Sequence, residues 1–194
     1  MNITISGRKV DQVKQFTYLG SVISNDAYST REIKTRIALA KNAFSKHSRT
    51  LTAKKLKQSL RKRLFKCLVW SVALYASETW TIKKAEERRI DSLEMWLSRR
   101  MEGISWKDRV TNDEVLNRVN EVRILRETIR RRKKNWLGHI LRGNNMLRDV
   151  LEGKMKGKRG RGRPRIGMVS ELKEAETYES MKRKSQDREQ WRNY

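Results

Sequence analysis

The stretch Thr52-Ala53-Lys54-Lys55-Leu56-Lys57-Gln58-Ser59-Leu60-Arg61-Lys62-Arg63-Leu64-Phe65-Lys66-Cys67-Leu68-Val69-Trp70-Ser71-Val72-Ala73-Leu74-Tyr75 reads as one long helix. Leu56, Leu60, Leu64, Cys67, Leu68, Ser71, Leu74 and Tyr75 recur at three- and four-residue spacing, with Thr52 placed to cap the N-terminus. The first half is basic on the opposite face, through Lys54, Lys55, Lys57, Arg61, Lys62, Arg63 and Lys66. The second half, 68–75, is apolar nearly all round, the pattern of a buried helix. A helix that sinks one end in a core and holds the other in water as a cationic face sets the class: mostly α.

Working outward, residues 2–6 alternate, with Ile3 and Ile5 on one face, and Gly7 supplies a turn before a second short strand in 9–13. Phe16, Tyr18, Val22 and Ile23 form an aromatic and β-branched run around Gly20. So small an antiparallel sheet needs helices as cover. From Ser29 the period changes. Ser29 and Glu32 have the spacing of a capping box, followed by an apolar stripe of Ile33, Ile37, Ala40 and Phe44. Thr81 is expected to cap a helix with Ala85, Ile90, Leu93, Leu97 and Met101 inward, closed by Gly103. Thr111 with Glu114 opens a short helix through Val115 and Val119. Then comes a basic helix carrying Ile124, Leu125, Ile129, Trp136, Leu137, Ile140 and Leu141, stopped by Gly143. The reading divides the chain into a β-hairpin region (1–27), a first helical bundle (28–80), a second helical region (81–145), a basic Gly/Arg arm (146–169) and polar C-terminal helices (170–194).

Composition narrows the partner. Lys and Arg number 47 against 22 Asp and Glu, a formal net charge of +25. Such a chain repels itself, so a polyanion is its natural partner. The basic residues recur along the whole chain instead of lining one amphipathic stretch, which favours nucleic acid over a membrane surface. No run of ~18 apolar residues appears, and the first residues lack the basic and apolar regions of a signal peptide. A single cysteine, Cys67, with two histidines, His47 and His139, argues against disulfides and zinc.

Nothing in the chain has the pattern of a catalytic centre. Two-metal polymerase chemistry needs paired carboxylates. Glu86, Glu87, Asp91 and Glu94 sit among basic residues and are expected to be solvated ion-pair partners. Arg161-Gly162-Arg163-Pro164, within a run of Gly, Lys and Arg, resembles an AT-hook, in which an extended Arg-Gly-Arg tracks a narrow minor groove. The plainer reading is a basic linker making phosphate contacts only. Arg130-Arg131-Arg132-Lys133-Lys134 reads as a phosphate-contacting helix face, a solvated face or a nuclear-import signal. Of the tryptophans, Trp70 and Trp96 are expected in the core, while any exposed one has the chemistry to stack on bases.

Several stretches, in order, resemble one family. They are Phe16-Thr17-Tyr18-Leu19-Gly20-Ser21-Val22-Ile23, Glu32-Ile33-Lys34-Thr35-Arg36-Ile37 and Trp70-Ser71-Val72-Ala73-Leu74-Tyr75-Ala76-Ser77-Glu78-Thr79-Trp80, followed by Arg130-Arg131-Arg132, Trp136-Leu137-Gly138-His139-Ile140-Leu141-Arg142 and Asp187-Arg188-Glu189-Gln190-Trp191-Arg192. Together they are similar to the region after the catalytic palm in the reverse transcriptases of non-LTR (LINE-type) retrotransposons. The resemblance implies a primer-grip-like hairpin at Phe16, Tyr18, Leu19 and Gly20, thumb-like helices over 28–80, and a carboxyl-terminal region that engages nucleic acid. It also implies that the family's aspartate pair, and the Mg2+ it holds, lie upstream, since only fifteen residues precede Phe16 and none forms such a pair.

The expected function is therefore a nucleic-acid-binding piece of a LINE-type reverse transcriptase, not an enzyme by itself and without a cofactor of its own. It would hold RNA template, RNA–DNA hybrid or DNA in the nucleus or cytoplasm, with the rest of a reverse transcriptase as a further partner. The residues expected to touch phosphate are Lys34, Arg36, Lys41, Lys54, Lys55, Lys57, Arg61, Arg63, Arg130, Arg131, Arg132, Lys133, Lys134, Arg161, Arg163 and Arg165. The rival readings are an autonomous chromatin protein using the AT-hook-like arm, and a retroelement product with no selected role.

Overall fold

The computed structural model describes residues 3–153, 167–172 and 177–193. The chain is mostly helical, with two antiparallel strand pairs at its start. β1 (Ile3–Ile5) pairs with β2 (Arg8–Val10), and β3 (Gln15–Tyr18) pairs with β4 (Ser21–Ser24). Both hairpins turn on two residues at positive φ: Ser6 and Gly7 in the first, Leu19 and Gly20 in the second. That geometry matches the twist of the flanking strands. Leu19 takes it at a cost of roughly 1–2 kcal/mol, because its Cβ crowds the carbonyl in the left-handed region. Contacts from the helices offset that cost. The Tyr75 hydroxyl donates to the Leu19 carbonyl at 2.8 Å, and the Arg36 guanidinium donates to the Gly20 carbonyl.

α1 (Thr30–Lys46) buries Ile33, Ala40 and Phe44 as its period requires. The expected capping box does not form, because Ser29 has φ −78° and ψ 1°, away from the extended geometry of a cap. Its hydroxyl instead accepts the Thr81 N–H at 3.0 Å, and Glu32 accepts the Val22 N–H at 2.6 Å. Both residues join elements together instead of finishing one.

The long helix expected from Thr52 is broken. Thr52 ends α2 (Ser48–Leu51), and α3 (Gln58–Phe65) starts after Lys57. A wide π turn (Lys66–Trp70) then leads into α4 (Ser71–Ala73). One extra residue in a turn rotates everything after it by ~100°. Val69, Trp70, Ala73 and Leu74 lie in the core, whereas Tyr75, after the turn, stays 45% exposed, and Leu60, before it, is 42% exposed. After a short 3-10 turn (Ser77–Thr79) comes α5 (Lys84–Glu102). Gly103 closes it at φ 73°, and the Ile104 N–H reaches back to the Arg99 carbonyl at 2.8 Å. Its inward stripe starts at Glu86 rather than at the expected Ala85, since the position four before Ile90 is 86.

A 3-10 turn (Trp106–Asp108) precedes α6 (Asn112–Val119), which Thr111 caps by accepting the Glu114 N–H at 3.2 Å. α7 (Leu125–Arg142) follows, then α8 (Met146–Glu152), α9 (Met168–Leu172), α10 (Tyr178–Gln186) and α11 (Arg188–Asn193). The expected arm from 146 thus begins with a helix, capped by the Asn145 side chain accepting the Arg148 N–H at 3.1 Å.

The main core gathers Ile33, Phe44, Leu51, Val69, Trp70, Trp80, Leu93, Leu97, Leu125 and Ile129, so it runs across the boundary expected at residue 80. A smaller cluster of Met95, Met101, Val115 and Val119 joins α5 to α6. Leu137, Leu141, Leu172, Met181 and Trp191 join α7 to the C-terminal helices.

In that last cluster the Trp191 indole lies directly over Gly138, and its N–H donates to the Lys134 carbonyl at 3.0 Å. A Cβ at 138 would overlap the ring. Alanine is the better helix former by roughly 1 kcal/mol, but overpacking a core costs about 1–3 kcal/mol. Gly138→Ala is therefore expected to lower the unfolding free energy in urea by about 1 kcal/mol, with the indole emission shifting toward that of exposed tryptophan.

Candidate nucleic-acid interface

Three of the cations expected to meet phosphate are buried, and each is tied to another part of the chain. Arg36 on α1 pairs with Glu32 at 2.6 Å and lies 4.4 Å from the Tyr75 ring centroid. Arg61 on α3 donates to the Met101 carbonyl at 3.0 Å, in the last turn of α5, and pairs with Glu102 at 3.3 Å. Lys133 on α7 is fully buried, with its Nζ 2.7 and 2.8 Å from the two Glu171 oxygens of α9. Burial pushes the Lys133 amine down, against the pull of Glu171. Removing any of these from its partner strands a charge in a poorly hydrated site, so none reaches out to a ligand. That corrects the expectation for Arg36, Arg61 and Lys133.

The run 130–134 fails as a single face for the same reason and one more. Consecutive helical residues point ~100° apart, so five in a row fan right round the helix. Arg132 donates to the Leu74 carbonyl at 3.1 Å and pairs with Glu78. Lys134 lies over the Trp191 ring at 5.8 Å, its amine pushed down by partial burial. Arg130 borders a cleft that also holds Glu87, Asp91 and Glu127. Arg131 is exposed.

Two of the four acidic residues expected in solvent are buried as well. Glu94 of α5 accepts the Ile124 and Leu125 N–H groups at 3.0 and 3.1 Å, at the start of α7 where no local side chain caps the helix. Burial raises its pKa above the ordinary value of 4.5. Glu86 accepts the Thr30 hydroxyl at 3.0 Å. Glu87 and Asp91 behave as expected, both pairing with Arg126 at 3.1 Å.

What remains outside forms a pattern. Lys34 and Lys41 are exposed on α1, with Lys54, Lys55, Lys57 and Arg63 on the α2–α3 segment. The hairpin residues Phe16, Tyr18 and Leu19 are exposed too. Between α1 and α5 runs a groove of about 590 Å3 bordered by Lys34, Lys41, Arg88 and Arg89, with Ile37, Leu93 and Trp96 along its floor. It meets a second hollow of about 650 Å3 bordered by Arg99, Arg100, Trp106 and Arg109. Trp96 belongs to both. Its ring has the Lys41 ammonium at 5.2 Å, the Arg100 guanidinium at 5.3 Å and the Phe44 ring edge-on at 5.8 Å. Trp96 is thus half-buried at the seam instead of fully in the core. Arg99 and Arg89 are held locally, by the Val110 carbonyl at 2.8 Å and by Glu86 at 3.4 Å. Lys34, Lys41, Arg88 and Arg100 pair with no carboxylate among the described residues.

Arg88, Arg100 and Arg109 were not among the expected contacts, whereas Trp106 is one of the tryptophans whose chemistry suits base stacking when exposed. A signal for part of this face was present: Lys84, Arg88, Ser92, Trp96 and Arg100 recur every four residues on α5. Arg161, Arg163 and Arg165 lie outside the described residues. No group of metal-ligating side chains large enough to hold an ion occurs among the described residues, and no helix there is long and apolar enough to cross a membrane.

A basic, mostly helical chain with a cationic groove is the class this geometry defines. Over 140 residues it is 30% identical to a transposon-derived protein of Caenorhabditis elegans, an alignment covering 71% of this chain and 50% of that protein. The chain thus spans about half the length of the curated relative it matches. The similarity points to a transposable-element origin. No protein-family profile matches the chain, and no solved structure matches it.

The division between buried and exposed cations has a direct check. Arg36→Ala leaves Glu32 unpaired and the Gly20 carbonyl without its donor, an expected loss of about 3 kcal/mol or more of unfolding free energy. Lys34→Ala, two residues away on the exposed face, is expected to change it by no more than about 0.5 kcal/mol. Chemical denaturation of the two variants reads both numbers.

Proposed function

We propose that this chain is a nucleic-acid-binding piece of a LINE-type reverse transcriptase, holding template–primer through phosphate contacts and not polymerising by itself. The observation that carries the reading is the α1–α5 groove, where Lys34, Lys41 and Arg88 face solvent, with Arg100 on the far side of Trp96 in the adjoining hollow. Cations sited this way gain most from a ligand with regularly spaced negative charge, because binding releases the counterions condensed on it. The transposon-derived relative and the ordered stretches from Phe16 to Trp191 support the more specific assignment. In this reading the exposed hairpin of Phe16 and Tyr18, with its turn held by Arg36 and Tyr75, presents aromatic surface toward a primer end. The groove holds the backbone of the nucleic acid alongside.

Binding should fall steeply with salt. On duplex the log–log slope is about −0.9 per phosphate neutralised, so the triple variant Lys41→Glu, Arg88→Glu, Arg100→Glu should reduce its magnitude by about 2 to 3. Tighter binding to an RNA–DNA hybrid than to DNA duplex is expected. A nearly flat salt dependence contradicts the phosphate reading. A preference for A·T-rich DNA that vanishes on Arg163→Ala favours the AT-hook-like arm as the binding element instead.

A further inference from the structure

Trp106, which borders the second hollow, is 84% exposed, more than any other large hydrophobic side chain among the described residues. It does not sit on a loose loop. The Ser105 N–H donates to the Asp108 carboxylate at 2.6 Å, and the Ser105 hydroxyl accepts the Lys107 N–H at 3.4 Å, a reciprocal cap that fixes the 3-10 turn. Arg109 closes the turn at φ 49°. The turn therefore holds a large indole in water at a set place, where an apolar ring gains nothing from the fold. Its surroundings are cationic: Lys107 lies 5.9 Å from the ring centroid, and Arg100 and Arg109 border the same hollow.

An exposed aromatic ring beside arginines with free reach toward solvent is the arrangement that binds a nucleotide at two points. The ring takes the face of a base and the arginines take the phosphates on either side. A base within a duplex is stacked on both faces, so only an unpaired one can offer a face to Trp106. We infer that the end of the groove at Trp106 binds a single-stranded segment of nucleic acid, with one base stacked on the indole and flanking phosphates on Arg100 and Arg109. This inference rests on the nucleic-acid-binding reading of the groove. It adds that the base on Trp106 must be unpaired, whereas Arg100, like Lys34, Lys41 and Arg88, accepts any backbone. Stacking is indifferent to the sugar, so RNA and DNA single strands are both ligands here.

The test is equilibrium binding by the 194-residue chain of an unstructured oligouridylate, an oligothymidylate and a blunt DNA duplex, each at several salt concentrations. Wild type is compared with Trp106→Ala, Trp106→Phe and Arg100→Ala. The near-complete exposure of Trp106 means that removing it leaves the core intact. Trp106→Ala is expected to weaken binding of both single strands roughly tenfold with the salt slope unchanged, and of the duplex by less than about twofold. Trp106→Phe should restore most of the loss, and Arg100→Ala should lower the salt slope on all three ligands. The stacking inference is overturned if Trp106→Ala binds single strands as wild type does, or loses equally on duplex, while wild type keeps a steep salt dependence. If wild type binds none of the three ligands, the nucleic-acid reading itself fails.

Discussion

A net charge of +25 has to be sorted before this chain can bury anything. The structure does so by taking a few ionised side chains inside and giving each a main-chain or ionic partner from another element. Glu94 carries the clearest case. It sits buried on α5 and accepts the first N–H groups at the start of α7, so the two helices share one carboxylate. Lys133 and Glu171 join α7 to α9, and the same carboxylate accepts the Ile82 N–H at 3.3 Å. Arg61 ends on the last turn of α5. Burying a charge with a partner contributes little net stability, but burying it without one is costly. Other arrangements of the same helices would strand one of these charges, and the fold leaves Lys34, Lys41, Arg88 and Arg100 exposed on the solvent side of two packed helices.

That side is where α1 and α5 run together. The stripe of Ile33, Ala40 and Phe44 faces Leu93 and Leu97 within one core. Residues just off that stripe, Lys34 and Lys41 on one helix and Arg88 on the other, border one groove, and Arg100 borders the hollow that shares Trp96 with it. Trp96 lies between the two sets, half-buried against Phe44 and half available to the cations above it. Core packing thus sets the spacing of the surface charges. An interface built on packed helices also holds its charges in register better than an arm would.

Much of this was legible in the sequence. The helical periods found α1, α5, α6 and α7, and Gly7 and the apolar run around Gly20 marked the two strand pairs, with Ser6 and Leu19 joining the turns in the structure. Local patterns misled where tertiary contacts outbid them. Ser29 and Glu32 have the spacing of a capping box, yet both are used across elements. The helix expected from Thr52 is broken before Gln58, and the π turn at Lys66–Trp70 then shifts its phase in a way no three- or four-residue repeat reveals. At the candidate site the failure was one of kind. Arg36, Arg61 and Lys133 look like surface cations, because residue type and spacing do not say which positively charged side chain has a carboxylate or carbonyl waiting inside. Arg109 was missed because it lies at the end of a short turn, outside any periodic face, and Trp106 was legible only as one of several tryptophans that could stack if exposed.

The proposed binding face draws its cations from the α1–α5 groove and not from the 130–134 run. Amide hydrogen exchange of the chain with and without a saturating RNA–DNA hybrid tests this most directly. Protection confined to α1, α5 and the turn at Trp106–Asp108, with α7 unchanged, is the predicted result. Protection centred on residues 130–134, with the α1–α5 face exchanging as in the free protein, would contradict it.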